Sequence, residues 1–146
     1  MKISTRARYG ARLMFELALS YGDRGISLRE IANNEGISEK YLSQIIIPLK
    51  AKGLIISFRG PCGGYALARD PSEINLREIV EILEGGLSIL DCLNNSSLCK
   101  RSMKCPTRGV WDLLNNKIIQ TLEAVTLRDL VEEFLNKSGD NLTYSI

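Results

Sequence analysis

Within residues 27–49 the chain spells two helix starts with a single glycine between them, and that spacing limits the fold more than any other feature. Ser27 is followed three residues later by Glu30, the capping-box pairing in which each side chain satisfies the other's backbone N–H. Leu28, Ile31 and Ala32 form the apolar stripe of a short helix, and Gly36 stops it. Ser38 caps the next helix, in which Leu42, Ile45, Ile46 and Leu49 face inward while Lys40, Tyr41, Ser43 and Gln44 share the more exposed side. Pro48 within that run is expected to kink the helix or end its regular part early. Two short helices joined by a glycine turn, the second polar and partly basic outside, make the helix-turn-helix pattern. Small Ala32 permits close approach, Gly36 supplies the positive backbone angle of the turn, and Ile37, Leu42 and Ile45 fill the shared core. A plain packed helical bundle reads the same way up to this point.

The flanking residues separate the two. Upstream, Leu13 and Leu17 with Met14, Ala18 and Tyr21 recur at helical spacing over residues 5–21, with Ser4 or Thr5 as N-cap and Gly22 as stop. Downstream, Leu54, Ile56 and Phe58 alternate with Ile55 and Ser57, the period of a half-buried strand. R-G-P-C-G-G-Y then leads into a second strand over residues 65–68, so the helix pair is followed at once by a hairpin, a wing. Its tip presents Arg59 with Gly60, Gly63 and Gly64, whose bare backbone can come close to a phosphate or the minor groove. On this reading Tyr41, Ser43 and Gln44 touch bases, Gln44 being suited to adenine, while Lys40, Arg59 and the wing glycines hold phosphates. Asn75 with Glu78 starts a fourth helix, apolar at Leu76, Ile79, Val80 and Leu83, that ends at Gly85 and Gly86.

Charge fits a polyanion partner for the first half. Residues 1–70 hold 11 Lys/Arg against 6 Asp/Glu, a net of +5, whereas the remainder holds 8 against 11, a net of −3. At 146 residues and 45% hydrophobic, the chain is too apolar for disorder and too short for two large domains. Its apolar runs break well short of the roughly 20 residues of a spanning helix, and no apolar stretch follows the basic N-terminus, so the expected location is cytoplasmic.

The chain contains no histidine, which excludes Ser-His and Cys-His catalysis and histidine-ligated zinc. It contains four cysteines. Three of them, Cys92, Cys99 and Cys105, lie in residues 85–109, a stretch of weak helical pattern. Their separations do not match the paired C-x-x-C knuckles of zinc ribbons, and they leave three thiolates in one loop able to wrap a metal centre. Iron-sulfur clusters are held by thiolates, and Lys100, Arg101, Lys104 and Arg108 would offset the charge of such a centre and lower thiol pKa values. A three-cysteine cluster ranks first, a thiol or disulfide switch second and inert thiols third. Cys62 stands apart at the wing tip, a free reactive thiol or merely a small turn residue.

Beyond the loop, Val110, Trp111, Leu114, Ile118, Leu122 and Val125 recur at helical spacing, with Leu113 and Ile119 on a neighbouring face. One small winged domain can hardly bury all of that, so this helix is expected to pack on its own copy in a homodimer, or else to fold back on the first helix. Thr126 with Asp129 starts a last short helix, and residues 139–146 are expected to fray. The fold class read from the sequence is thus mainly α with a small β-hairpin wing. It comprises a winged helix-turn-helix over residues 1–84, a cysteine loop over 85–109, and a long dimerisation helix with the C-terminal segment over 110–146.

The opening M-K-I-S-T-R-A-R-Y-G, the helix I-S-E-K-Y-L-S-Q-I, the wing R-G-x-x-G-G-Y and the three-cysteine loop entering a Trp-containing helix together resemble the Rrf-type winged-helix regulators, in particular their iron-sulfur cluster-regulator branch. The resemblance covers about residues 1–135 in order. It implies a homodimeric bacterial transcription factor that binds operator DNA, with Cys92, Cys99 and Cys105 holding a two-iron two-sulfur (2Fe-2S) cluster beside one further ligand. It also implies that the helix from Ser38 reads the major groove of a pseudo-palindromic operator, and that the protein represses cluster-assembly genes. The family's fourth ligand is often a histidine three residues after the last cysteine, a position held here by Arg108, which cannot ligate. Some relatives use an N-terminal carboxylate of the partner subunit where this chain has Arg8. Asp91, Asp112, Glu39, a backbone group or an exogenous thiol are left for the role. Many relatives carry Glu at the position of Ser43, so the operator preference is expected to differ.

Two other functions compete. A cluster-free regulator responding to thiol oxidation, nitric oxide or a protein partner of cysteine metabolism shares the fold and differs only at the loop; a cluster-assembly protein is the other candidate protein partner. An enzyme or electron carrier is less favoured, since nothing in the sequence supports a substrate pocket and a capped helix pair with a wing is unnecessary in a carrier.

Overall fold

The structure, a computed structural model, describes residues 2–61 and 63–144, the last five by backbone alone. It is mainly helical with one two-stranded antiparallel hairpin. Helix α1 (Thr5–Leu19) begins on Ser4, whose hydroxyl accepts from Ala7 N–H at 3.0 Å. The backbone N–H of Ser4 donates to Glu84 at 2.8 Å and so ties the N-terminus to the end of the fourth helix. The α1 helix stops at Leu19, so Tyr21 lies beyond it and is exposed rather than part of the apolar stripe.

The capped pair forms as the spacing demands. In α2 (Leu28–Glu35) Ser27 Oγ accepts from Glu30 N–H and Glu30 Oε2 accepts from Ser27 N–H, both at 3.1 Å. Gly36 closes it in the left-handed region at φ 65°, where a side chain would be strained. Helix α3 (Glu39–Ala51) buries Leu42, Ile45, Ile46 and Leu49. Pro48 does not end it: the helix continues one turn beyond, and Lys52 N–H donates to Pro48 O at 3.1 Å. The missing proline N–H leaves one ladder bond unmade, a loss that tertiary burial of Ile45, Ile46 and Leu49 offsets.

Strand β1 (Ile55–Phe58) pairs antiparallel with β2 (Gly64–Leu67), Ile55 opposite Leu67 and Phe58 opposite Gly64. The expected alternation does not carry through to burial, since Ser57 is exposed along with its two neighbours. Ile55 is buried with Leu54 just ahead of the strand, while Ile56 and Phe58 are exposed. A bridge between Ile26 and Tyr65, with N–H···O bonds of 2.9 and 2.8 Å, fastens the hairpin to the segment leading into α2.

After a 3-10 turn (Pro71–Glu73), α4 (Leu76–Glu84) starts on Asn75, whose side chain accepts from Glu78 N–H at 3.0 Å, and ends at Gly85 in the left-handed region. Residues 85–109 are not wholly irregular. They contain a single helical turn, α5 (Asp91–Asn94), and a 3-10 turn (Ser96–Leu98). Helix α6 (Arg108–Ala124) packs on α4, not on α1, and Arg77 pairs with Glu123 across the contact at 3.3 Å. The helix that returns to α1 is α7 (Leu127–Tyr144), where Phe15 and Phe134 meet edge to face at 5.4 Å. It is long rather than short and stays helical through residue 144 of the stretch 139–146 expected to fray, residues 145–146 lying outside the described residues. Central α1 thus touches α2, α3, α4, α7 and β2, and its Leu13, Met14 and Leu17 are fully buried with Ile31, Leu42, Ile45, Leu49, Ile79 and Leu127. Burial of each such side chain contributes about 1.5–3 kcal/mol. Among the described residues, no helix is long and apolar enough to cross a membrane.

Candidate nucleic-acid interface and cysteine loop

The outer face of α3 carries the residues expected to meet DNA, and several are already engaged within the chain. Ser38 is the N-cap, its hydroxyl oxygen accepting from Tyr41 N–H at 3.3 Å. Tyr41 is half-buried, its ring edge-on to Tyr9 at 5.9 Å, and the Arg12 guanidinium lies over the Tyr9 ring, 5.5 Å from its centroid. Tyr41 therefore takes part in the packing of α3 on α1 while remaining partly exposed on the α3 surface. The Ser43 hydroxyl donates to Lys40 O at 2.6 Å. Lys40, Ser43 and Gln44 are exposed, as is Ile47 one turn on.

At the wing, Arg59 is exposed and makes no ion pair among the described residues. Lys50 of α3 donates to Ser57 at 2.8 Å and fixes the hairpin against the helix. The wing glycines have a structural need of their own. A Cβ on Gly63 would lie 2.6 Å from Phe58 O, and one on Gly64 would lie 2.6 Å from Ile26 O, so both must be bare for the turn to close and the bridge to Ile26 to form. Gly60 adopts φ 103°, which favours glycine directly. Cys62 lies outside the described residues.

The cysteine loop spans from α4 to α6. Cys92 is on α5, Cys99 follows the 3-10 turn and Cys105 precedes α6; all three are free thiols and partly exposed. Cys105 Sγ lies 3.4 Å from Thr107 Oγ1, and hydrogen bonds from the Thr107 side chain and backbone, with Arg101 nearby, hold its pKa below the ordinary thiol value. Among the described residues no three His, Cys, Asp or Glu side chains gather closely enough to hold a metal ion. Arg108, at the position of the family's frequent fourth ligand, is a cation with one guanidinium nitrogen buried and without a hydrogen-bond partner. As arranged, the loop presents three separate thiols among basic side chains, with Arg108 unable to serve as the fourth ligand.

One group escaped the sequence reading. Glu16 on α1 is buried, accepts from the Asn34 amide at 3.1 Å and faces Glu35, which is itself bound by Arg12 at 2.7 Å. Burial first, then the hydrogen bond to Glu35, pushes its pKa up to about 7. The available signal was position, since Glu16 stands three residues after Leu13 on the buried stripe.

Comparison with known proteins agrees with this architecture. Residues 3–133 match the Rrf2 family, described as iron-dependent transcriptional regulators. The HTH-type transcriptional regulator CymR of Bacillus subtilis is 38% identical over 130 residues, covering 89% of each chain. Its solved structure, the global cysteine regulator of that organism, superposes with a TM-score of 0.78 at 35% identity over 91% of this chain and 98% of the other. The oxidized form of Staphylococcus aureus CymR gives a TM-score of 0.74 at 35% identity, covering 90% and 97%. IscR from T. potens gives 0.72 at 36% identity, covering 91% and 88%. The family match and these relatives, all named as regulators, coincide with a winged helix-turn-helix that the capped helices and hairpin build here, and the chain therefore belongs to the Rrf2 family of DNA-binding transcription regulators.

Proposed function

We propose that this regulator is cluster-free and that the oxidation state of its loop thiols sets its affinity for operator DNA. One observation carries the reading: Cys92, Cys99 and Cys105 are separate, partly exposed thiols, and Cys105 is held toward its thiolate by Thr107. A thiolate attacks a peroxide O–O bond to give a sulfenic acid and, with one proton, water; condensation with a second thiol releases another water and leaves a disulfide. Such a link would pull the loop between α4 and α6 and change how the two recognition helices of a dimer are spaced. The exposed apolar face of α6, with Val110, Trp111, Leu113 and Leu114, supports packing on a second copy. Similarity to CymR, a cysteine regulator with an oxidized form, supports control of cysteine supply as the regulated process.

Three thiols in one basic loop, together with the similarity to IscR, favour a second reading in which a 2Fe-2S cluster is the signal. The test separates them. Protein purified without oxygen is assayed for iron, sulfide and visible absorption, and its DNA affinity is measured before and after one equivalent of hydrogen peroxide. The expected result is a colourless protein whose affinity falls at least ten-fold on oxidation and returns with dithiothreitol, with Cys105→Ser insensitive. Visible bands with matching iron and sulfide, lost in Cys99→Ala, would overturn the thiol reading in favour of the cluster. Affinity unmoved by peroxide in a colourless protein would overturn it as well.

A further inference from the structure

We infer that Ile47 is a specificity-determining residue that reads the 5-methyl group of a thymine in the major groove. The inference rests on the reading of α3 as the recognition helix and adds to it a contact of a different chemistry. Ile47 is 65% exposed, the most exposed large apolar side chain of the first 84 residues among those described. Its neighbours on α3 explain why this is not a stray surface residue. At about 100° per residue, Ile47 lies within about 60° of Lys40, Ser43 and Gln44 and on the side opposite Ile45 and Leu49. It therefore occupies the centre of the outward face, and most of its aliphatic surface is left uncovered by the described residues.

The polar groups around it are partly spent. The Ser43 hydroxyl is donated to Lys40 O, the Ser38 oxygen accepts from Tyr41 N–H, and the Tyr41 ring rests on Tyr9. Gln44 and Ile47 stand adjacent on the exposed face as groups that can meet base edges mid-helix. Of the base edges in the major groove only thymine presents a methyl group, so a branched aliphatic side chain has one specific target there. An amide suited to adenine and an aliphatic suited to thymine, adjacent on one face, point to an A/T-containing step in each half-site. The Ile47 side chain would exclude water from that methyl and gain the burial of about one methyl-sized group.

The experiment begins with selection of duplexes from a random pool by the full-length reduced protein. In the selected duplex, each thymine is then replaced singly by deoxyuridine, which removes the methyl and keeps every hydrogen bond. For the wild type, uracil at one position in each half-site is expected to weaken binding about four-fold, the loss of one buried methyl. Ile47→Ala should bind the thymine duplex that much more weakly and be indifferent to the substitution; Ile47→Val should retain part of the effect. Because Ile47 is exposed, both variants should show the thermal unfolding of the wild type, which is checked in parallel. A uracil effect that persists in Ile47→Ala, no uracil effect at any position, or a selected site without thymine would overturn the inference while leaving α3 as the recognition helix. Failure of the wild type to enrich any sequence would instead overturn the DNA-binding reading on which it rests.

Discussion

The Glu16 carboxyl shows how a single side chain couples this fold to pH. It is buried on α1, faced by Asn34 and Glu35 from α2, with Arg12 on its own helix held by Glu35, and with Glu133 and Lys137 of α7 lining the neighbouring groove. Its folded pKa of about 7 lies above the ordinary carboxylate value, so the native state binds more protons than the unfolded chain between those limits. The stability this proton provides is fully present below about pH 4.5 and is lost as pH rises through 7. Glu16→Gln keeps the shape and the acceptor for Asn34 while removing the titration. Urea unfolding should find the variant more stable than the wild type by about 1–3 kcal/mol at pH 8, with the difference shrinking toward pH 5. Equal pH slopes for the two proteins would refute the buried-proton account. Gly64 is the second telling residue: Gly64→Ala would push a methyl against Ile26 O, a backbone atom that cannot turn aside, and should cost about 1–3 kcal/mol in the same assay. Neither position announced itself fully in the sequence. A glutamate on an apolar stripe reads as an interruption until its partners on another helix are known, and a wing glycine reads as freedom to approach DNA when here it is also room for a neighbouring strand.

Elements whose signals are local were legible. Ser27 with Glu30, Ser38, Asn75 with Glu78 and Thr126 with Asp129 all cap where expected, because a cap is made by residues within one turn of each other. The Ser27 box can be weighed directly. Ser27→Ala removes the acceptor for Glu30 N–H and should lower stability by about 1 kcal/mol, read as a drop in the urea midpoint with an unchanged slope. A change below about 0.3 kcal/mol would mean that water replaces the hydroxyl at no cost. Signals that depend on distant surroundings were not legible. Pro48 breaks helices in isolation, yet α3 carries it because Ile45, Ile46 and Leu49 hold the turn on both sides in the core. Strand β1 turns Ile55 inward because its pairing with Leu67 and its position under α3 decide the face, and four apolar residues interrupted only by Ser57 fit either register. Helix α7 outran its expected length because Phe134 finds Phe15 on α1 and because Arg128–Glu132 and Glu133–Lys137 brace it at i, i+4.

At the scale of the molecule, the basic first half and the apolar stripe of α6 were both visible in the sequence, while the docking of α6 on α4 and of α7 on α1 was not, since it depends on grooves that several elements build together. This arrangement bears on oligomeric state. Ile118 and Leu122 turn toward α4, and Asn115 is buried with its side chain accepting from Ile89 N–H at 2.9 Å, so one side of α6 is committed within the chain. Val110, Trp111, Leu113 and Leu114 nevertheless remain exposed toward the start of the helix, an apolar surface that a second copy can cover by a symmetric contact. Leu113 is 60% exposed, so Leu113→Glu removes little packing within one chain while placing a carboxylate in the contact between two. Sedimentation equilibrium should show the wild type as a dimer and this variant as a monomer with unaltered circular dichroism. Two linked winged helices bind the second half-site at an effective concentration on the order of millimolar, so the monomer should lose about 100-fold or more in affinity for a two-half-site duplex. Its affinity for a single half-site should be unchanged, because the α3 face and the wing are untouched. A variant that stays dimeric would move the self-association surface away from α6. A monomer that binds the full site as tightly as the wild type would show that one winged helix suffices, and that oxidation in the loop must act on DNA affinity by some route other than the spacing of two recognition helices.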